Sequence, residues 1–202
     1  MIDVLVIGSG GAGLSAALTA KKEGASVLVA GKSYPTTSQT SMAQGGMNAA
    51  LGNAEEDHIA SHIEDTIRSA HGICNEHMVR KMCSDAPGAI AWMEELGVPF
   101  SRLDNGKNGT ASIAQRQMGG ASAKRACYAQ DYTGLKILHT LYDNCLKEEI
   151  GFLDEHFLLN LVTEENTVKG ATFLDIRSGE VVQVDAKSVI IATGGFGALY
   201  HG

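Results

Sequence analysis

The sequence predicts an α/β fold, a parallel sheet wound with helices and joined to an antiparallel β-meander. Three observations carry this. An apolar run, Val4-Leu5-Val6-Ile7, opens the chain and passes through Gly8, Gly10 and Gly13 into a stretch of helical periodicity. A second run, Val27-Leu28-Val29-Ala30, follows that helix, and a third, Val189-Ile190-Ile191-Ala192, comes near the end. Before the third run, short strand-like segments alternate with turn signals.

The first run has no polar alternation, which is the mark of a strand buried on both faces. In the helix, Leu14, Ala17, Leu18 and the stem of Lys21 share one face. The pattern G-x-G-x-x-G thus sits between a strand and a helix, the context in which it signals dinucleotide binding. Gly8 permits the sharp reversal, Gly10 lets a pyrophosphate approach the backbone, and Gly13 lets helix and strand lie close. A turn without a ligand needs one glycine rather than three at this spacing. Helix N-terminal N–H groups then face the anion, which nominates Gly8, Ser9, Gly10, Gly11, Ala12 and Gly13. The second strand completes a β-α-β unit. A nicotinamide site would place an acid at its end to hold the ribose. Here Gly31-Lys32 stands instead, which favours another adenine dinucleotide.

Residues 31–54 form a long segment of Ser, Thr, Gly and Ala. Loops of this length are usually functional or disordered. Its hydroxyls (Thr36, Thr37, Ser38, Thr40, Ser41) can meet a phosphate, and Gly45-Gly46 permits close approach of a flat ring. Met42, Ala43, Met47, Ala49, Ala50 and Leu51 are poor choices for a solvated linker. Glu55 to Ala70 reads as an amphipathic helix with Ile59, Ile63, Thr66 and Ile67 on one face. His58 and His62 stand four apart there, without an H-e-x-x-H pattern or third ligand, and read as a solvent-facing pair rather than a metal pair. Asn75 to Leu96 reads as a second helix, capped by Asn75 and kinked or split by Pro87. Met78, Val79, Met82, Ile90, Trp92 and Met93 turn toward its core.

Residues 101–124 are polar and glycine-rich, with turn signals at Asp104-Asn105-Gly106, Asn108-Gly109 and Gly119-Gly120. Arg102, Arg116 and Arg125 could each bind a carboxylate, or simply lie on the surface. Thr133 to Glu149 is a helix with Leu135, Leu138, Leu141, Tyr142 and Leu146 inward. Strands follow at Phe152-Leu153, Phe157–Val162, Val168–Ile176 and Val181–Val184, as in a meander. The third apolar run is then a buried parallel strand beside the first, ending in glycines near the ligand. A doubly wound sheet needs further cover there, so the chain reads as a piece of a larger fold or of an assembly.

The 202 residues suffice for one domain with a real core. Net charge of -7 gives no basic footprint for nucleic acid. The apolar runs are far too short to span a bilayer, and no leader precedes the first strand, which suggests a true N-terminus. Cys74, Cys83, Cys127 and Cys145 form no C-x-x-C pair, so neither an iron–sulfur cluster nor a structural zinc is readable, and reduced thiols in a cytoplasmic protein are expected.

Several motifs coincide in one order: GSGGAG at 8–13, KSYPTTSQTSMAQGGMN at 32–48, LGNAEED, Phe100-Ser101-Arg102, Asp131-Tyr132-Thr133-Gly134, Leu138-His139-Thr140-Leu141, Asp154-Glu155-His156-Phe157 and Ala192-Thr193-Gly194-Gly195. Together the chain resembles the first part of the succinate dehydrogenase and fumarate reductase flavoprotein subunits, a family that includes L-aspartate oxidase. The resemblance covers essentially all 202 residues. It implies a Rossmann-like FAD-binding domain over residues 1–202, ending before a capping domain. It implies FAD rather than NAD, with the ADP half on Gly8–Gly13 and Gly31 and Lys32 near the ribose. Ser38, Gln39, Thr40, Ala43, Gln44, Gly45 and Gly46 would pass the pyrophosphate and isoalloxazine. The backbone near Phe157 and Leu158 would meet the adenine, and Ala192, Thr193 and Gly194 would close the site.

The respiratory members carry Ser-His-Thr in this loop, and that histidine bonds the flavin covalently. Here the triplet is Ser38-Gln39-Thr40. A carboxamide has no imidazole nitrogen for that bond, so FAD is expected to be noncovalent. Within the family, loss of the link goes with a lower flavin potential, which favours fumarate reduction. L-aspartate oxidases also lack the histidine, and the stretch from His62 to Cys74 resembles them, whereas Tyr34-Pro35, Phe100–Arg102 and Leu138–Tyr142 pull the other way. The implied chemistry is hydride transfer between flavin and a C4 dicarboxylate. The family's catalytic residues match no position here, so none is nominated and the piece alone is expected to be inactive; no metal site is nominated either. The implied partners are the dicarboxylate and an iron–sulfur subunit of a respiratory complex. Membrane attachment would come through other subunits, at the inner face.

Overall fold

The computed structural model describes residues 1–103 and 111–197. The turn signals at Asp104–Gly106 and Asn108–Gly109 lie outside the described residues. Two compact units are present: residues 1–42 with the chain from Ile137 onward, and residues 43–136.

The first unit is built on β1 (Ile2–Ile7), α1 (Gly11–Lys22) and β2 (Val27–Ala30). β1 and β2 pair in parallel, Val4 opposite Val27 and Ile7 opposite Ala30. As the apolar runs predict, Leu5, Val6, Ile7, Val29 and Ala30 are buried. α4 (Thr133–Lys147) then leads to β6 (Gly151–Leu153), which pairs in parallel with β2. This corrects the sequence reading, in which Phe152-Leu153 opened the meander. Three strands make the meander: β7 (His156–Glu164), β8 (Thr167–Asp175) and β9 (Val181–Ile191).

The final run is not a separate strand. β9 is continuous over 11 residues. Its first part pairs antiparallel with β8, from Val181 opposite Leu174 to Asp185 opposite Gly170. Its second part pairs in parallel with β1, from Ala186 opposite Ile2 to Ile191 opposite Ile7. The sheet order is therefore β6-β2-β1-β9-β8-β7. Alternation in β1 separates two interfaces. Leu5 and Ile7 join Ala30, Ala171, Phe173, Val184 and Ala186 in one core shared by the parallel strands and the meander. Val6 lies on the α1 side, 3.4 Å from where a Gly13 Cβ would stand. The end of β9 is not buried as the sequence suggests: Ile190 is 37% and Ile191 58% exposed.

The second unit holds α2 (Ile59–Ser69), α3 (Glu76–Glu95) and a small antiparallel sheet. In that sheet β5 (Ala126–Cys127) lies between β3 (Met47–Asn48) and β4 (Gln115–Arg116). α3 stays helical through Pro87 rather than splitting. Asn75 caps it, its Oδ1 accepting from the Met78 N–H at 3.3 Å. Asn75→Ala should therefore lower stability by about 1 kcal/mol in a urea melt; an unchanged midpoint would remove the cap from the account. Val79, Ile90 and Met93 are buried as predicted, but Met78 and Met82 are more than half exposed. Leu146 in α4 is likewise exposed, whereas Leu138 and Leu141 are buried.

Candidate functional site

The glycine turn forms as its spacing requires. Gly8 adopts φ +116°, and a Cβ there would stand 2.2 Å from the Ala192 carbonyl oxygen. That carbonyl is placed by β9, since the Ala192 N–H donates to the Ile7 carbonyl at 2.7 Å. A Cβ on Gly13 would come within 1.8 Å of the Gly8 oxygen, so only hydrogen fits between helix and strand. The first intrahelical bond of α1 runs from the Leu14 N–H to the Gly10 carbonyl at 2.9 Å. The amides of Gly11, Ala12 and Gly13 thus precede the helical ladder.

One of those amides is already used. The Gly11 N–H donates to Thr40 Oγ1 at 3.0 Å. This corrects the expectation that the whole helix N-terminus is open to an anion. Thr40 docks the 3₁₀ turn at Gln39–Met42 onto α1 and brings Ser38 to the same place. Ser38 Oγ lies 3.6 Å from where a Gly10 Cβ would be. It is buried and has no hydrogen-bond partner among the described residues. A buried hydroxyl without a partner costs free energy, and here it stands beside the helix terminus where an anion is stabilised. The donor set of Ser38 Oγ with the Ala12 and Gly13 amides, over a glycine that leaves room for phosphoryl oxygens, fits a pyrophosphate.

Gly31 and Lys32 follow β2 as expected. Gly31 is bonded on both sides: its N–H donates to the Leu153 carbonyl at 3.0 Å, and its carbonyl accepts from the His156 N–H at 2.8 Å. A Cβ on Gly31 would stand 2.7 Å from Ser9 Oγ. The turn between β6 and β7 is thereby held against the end of β2. Lys32 and Gln39 are exposed, and the Leu158 side chain packs against the core. Thr193 and Gly194 are exposed beyond β9.

Ala43, Gln44, Gly45 and Gly46 belong to the second unit, where their backbone is fastened from several directions. The Ala43 carbonyl accepts from the Gly134 N–H at 2.7 Å. The Gln44 carbonyl accepts from Arg116 Nη2 at 2.9 Å and Thr133 Oγ1 at 3.3 Å. The Gly45 carbonyl accepts from Arg116 Nε at 3.0 Å. Gly46 takes φ +129°, and a Cβ there would stand 2.7 Å from the Cys127 oxygen.

The three arginines that sequence could not rank are all engaged within the second unit. Arg102 pairs with Glu94. Arg116 grips the 44–45 carbonyls and stacks 4.5 Å from the Tyr128 ring centroid. Arg125, far from lying on the surface, is 1% exposed. It holds Asp57 through Nε and Nη2, both at 2.9 Å, and Asp65 through Nη1 at 2.9 Å. Sequence offered no signal separating the three, because their partners lie up to 72 residues away.

His58 and His62 do not form a solvent-facing pair. His58 is exposed at the α2 N-terminus, whereas His62 is buried at 3%. Burial and the charge of Arg125 push the His62 pKa down against the pull of Asp57 and Asp65, so the ring is neutral at pH 7. A cavity of about 440 Å³ in this unit is lined by His62, Thr66, Met47, Met82, Asp85 and Ala86 among others. Its walls are mainly apolar, and none of the nominated glycines lines it. Among the described residues no His, Cys, Asp and Glu group could hold a metal ion. Burial pushes the Cys127 and Cys145 thiols up to about 12, which leaves them protonated and unreactive.

Comparison with known proteins decides between dinucleotides. The FAD binding domain family matches residues 3–202. The chain belongs to that family. FAD is accordingly its cofactor, and the absence of an acid after β2 accords with this. The FAD binding domain is 40% identical over 206 residues to the succinate dehydrogenase flavoprotein subunit of Rickettsia felis, covering 98% of this chain and 34% of that protein. It is 40% identical over 196 residues to the 8-methylmenaquinol:fumarate reductase flavoprotein subunit of Wolinella succinogenes, covering 96% and 31%. It superposes on an E. coli quinol fumarate reductase with a TM-score of 0.86 at 32% identity, covering 98% of this chain and 33% of that one. The chain spans about a third of the length of these relatives.

Proposed function

We propose that this chain is the FAD-binding portion of a fumarate reductase or succinate dehydrogenase flavoprotein, interconverting fumarate and succinate. The observation that carries the reading is the unpartnered Ser38 hydroxyl beside the three-glycine turn. FAD, when bound, supplies a centre that accepts or donates a hydride. The chain's own residues bind and orient it. Ser38 Oγ and the Ala12 and Gly13 amides hold the pyrophosphate, and Thr40 keeps Ser38 in place by capping Gly11. Gly31 and Lys32 lie by the ribose, Leu158 by the adenine, and Ala192–Gly194 close the turn. Gln44, Gly45 and Gly46 serve the ring. The relatives support this reading over L-aspartate oxidase.

FAD is held without a covalent bond, because Gln39 stands where the respiratory members have histidine. Precipitation of the yellow protein in acid should leave flavin colour in the supernatant; colour kept in the pellet would overturn this. The full protein pairs with an iron–sulfur subunit and reaches the cytoplasmic face of a membrane through other subunits. Among the described residues no helix is long and apolar enough to cross a bilayer. Assay of the full-length protein with succinate, fumarate and L-aspartate tests the activity. Turnover of aspartate alone would replace this reading with L-aspartate oxidase.

A further inference from the structure

We propose that Arg116 is a positioning residue for the flavin ring, acting through the backbone of Gln44–Gly46. The inference rests on the proposed FAD-binding role of that loop and adds the group that shapes it.

Two successive carbonyls, of Gln44 and Gly45, accept from one guanidinium, through Nη2 at 2.9 Å and Nε at 3.0 Å. In an extended strand successive carbonyls point to opposite sides. Here they converge, with Gly46 at φ +129° completing the turn. A trans peptide is planar, so each N–H points away from the carbonyl of its own peptide unit. The N–H groups of Gly45 and Gly46 therefore both point away from Arg116. Neither donates to another group among the described residues. Two adjacent amides aimed one way form a concavity for an electron-rich acceptor. The ring of FAD presents such acceptors, and they become richer on reduction. Hydrogen bonds to them tune the cofactor's electronics.

The guanidinium is itself held. It stacks over Tyr128 at 4.5 Å, Nη2 reaches the Gln130 carbonyl at 3.4 Å, and Nη1 lies 3.6 Å from Asp131 Oδ1. Thr133 and Gly134 fasten the same loop from the start of α4. This use depends on the fixed fork of arginine. A lysine keeps the charge but cannot reach both carbonyls in one plane.

The test uses R116K and R116Q in the full-length protein, with R102Q as a surface control and thermal melts to confirm folding. Hydrogen exchange of segment 43–47 is followed before and after FAD is added, with FAD affinity and flavin midpoint potential. Added FAD should slow exchange of the segment in wild type, and R116K and R116Q should both lose that protection at least fivefold. Both should weaken FAD binding about tenfold and lower the midpoint potential, while R102Q matches wild type. A purely electrostatic or surface role would be rescued by R116K. Wild-type FAD affinity, potential and exchange in R116K would overturn the proposal and leave the FAD reading standing. If wild type takes up no FAD, the parent reading falls and the flavin role of Arg116 falls with it.

Discussion

Gly13→Ala is expected to destabilise the protein by about 3 kcal/mol and abolish FAD binding, although alanine is the better helix former. The residue lies in the first turn of α1, where a new Cβ would come within 1.8 Å of the Gly8 carbonyl oxygen. That atom is backbone and cannot rotate aside. Either the helix retreats from β1, opening the packing of Leu14, Ala17 and Leu18, or the turn at Gly8 reshapes. Gly8 has no latitude, since Ala192 closes on it from the other side. Gly88→Ala is the matched control. It is an exposed helix residue in α3 whose new Cβ, its own helix backbone aside, would meet nothing within 4 Å among the described residues. There the propensity term stands alone and should add about 0.5–1 kcal/mol. Opposite signs in the two urea melts would establish that steric contact governs position 13. Equal stabilisation would show that the strand–helix approach is looser than described.

Arg125→Ala should cost about 3–5 kcal/mol, because it leaves Asp57 buried without its cation and Asp65 with Arg68 alone. The side chains of Arg125 and Asp57 are each 1% exposed, and that of Asp65 7%. Burial raises the Asp65 pKa, but hydrogen bonds from the Ser122 hydroxyl and N–H, with Arg68 and the charge of Arg125, outweigh it. The carboxyl is held at about 2, against 3.8 unperturbed. A group whose folded pKa is depressed stabilises the fold above its unfolded value and loses that contribution as pH falls through the folded one. Stability should therefore decline from about pH 5 down to 2 in the wild type. In Arg125→Ala the Asp65 contribution to that decline should shrink. A variant that melts like wild type at pH 7 would show that the triad is not a keystone of this unit. Because residues 43–46 rest on Arg116 and Thr133 in the same unit, FAD affinity should fall with stability.

The parts of the fold legible in sequence are those governed by near neighbours. Unalternated apolar runs marked β1, β2 and the third parallel strand, and three glycines marked the reversal into α1. The missed parts share a cause. The continuity of β9 was hidden because Asp185, Lys187 and Ser188 interrupt its apolar pattern, although they stand on exposed positions. Residues 151–153 were misassigned because a three-residue strand has no period to read; its place beside β2 comes from pairing with Leu28–Ala30. Met78, Met82 and Leu146 were placed inward by spacing alone, which gives a face but not what covers it. His62 was read as solvated because two histidines four apart suggest a surface pair. Its burial follows instead from packing with α3 and the neighbouring Asp57–Arg125–Asp65 network.

By itself, the sequence determined a dinucleotide cradle and, at Gln39, placed a carboxamide in the loop after it. Both depend on residue identity at fixed short spacing, where a backbone angle or a nucleophile is either available or not. Only the tertiary structure decided that Thr40 takes the Gly11 amide, that Ser38 is left unpartnered, and which arginine does what. For Thr40, Arg116 and Arg125 those outcomes depend on donors and acceptors 29 to 72 residues apart, brought together only when the core closes.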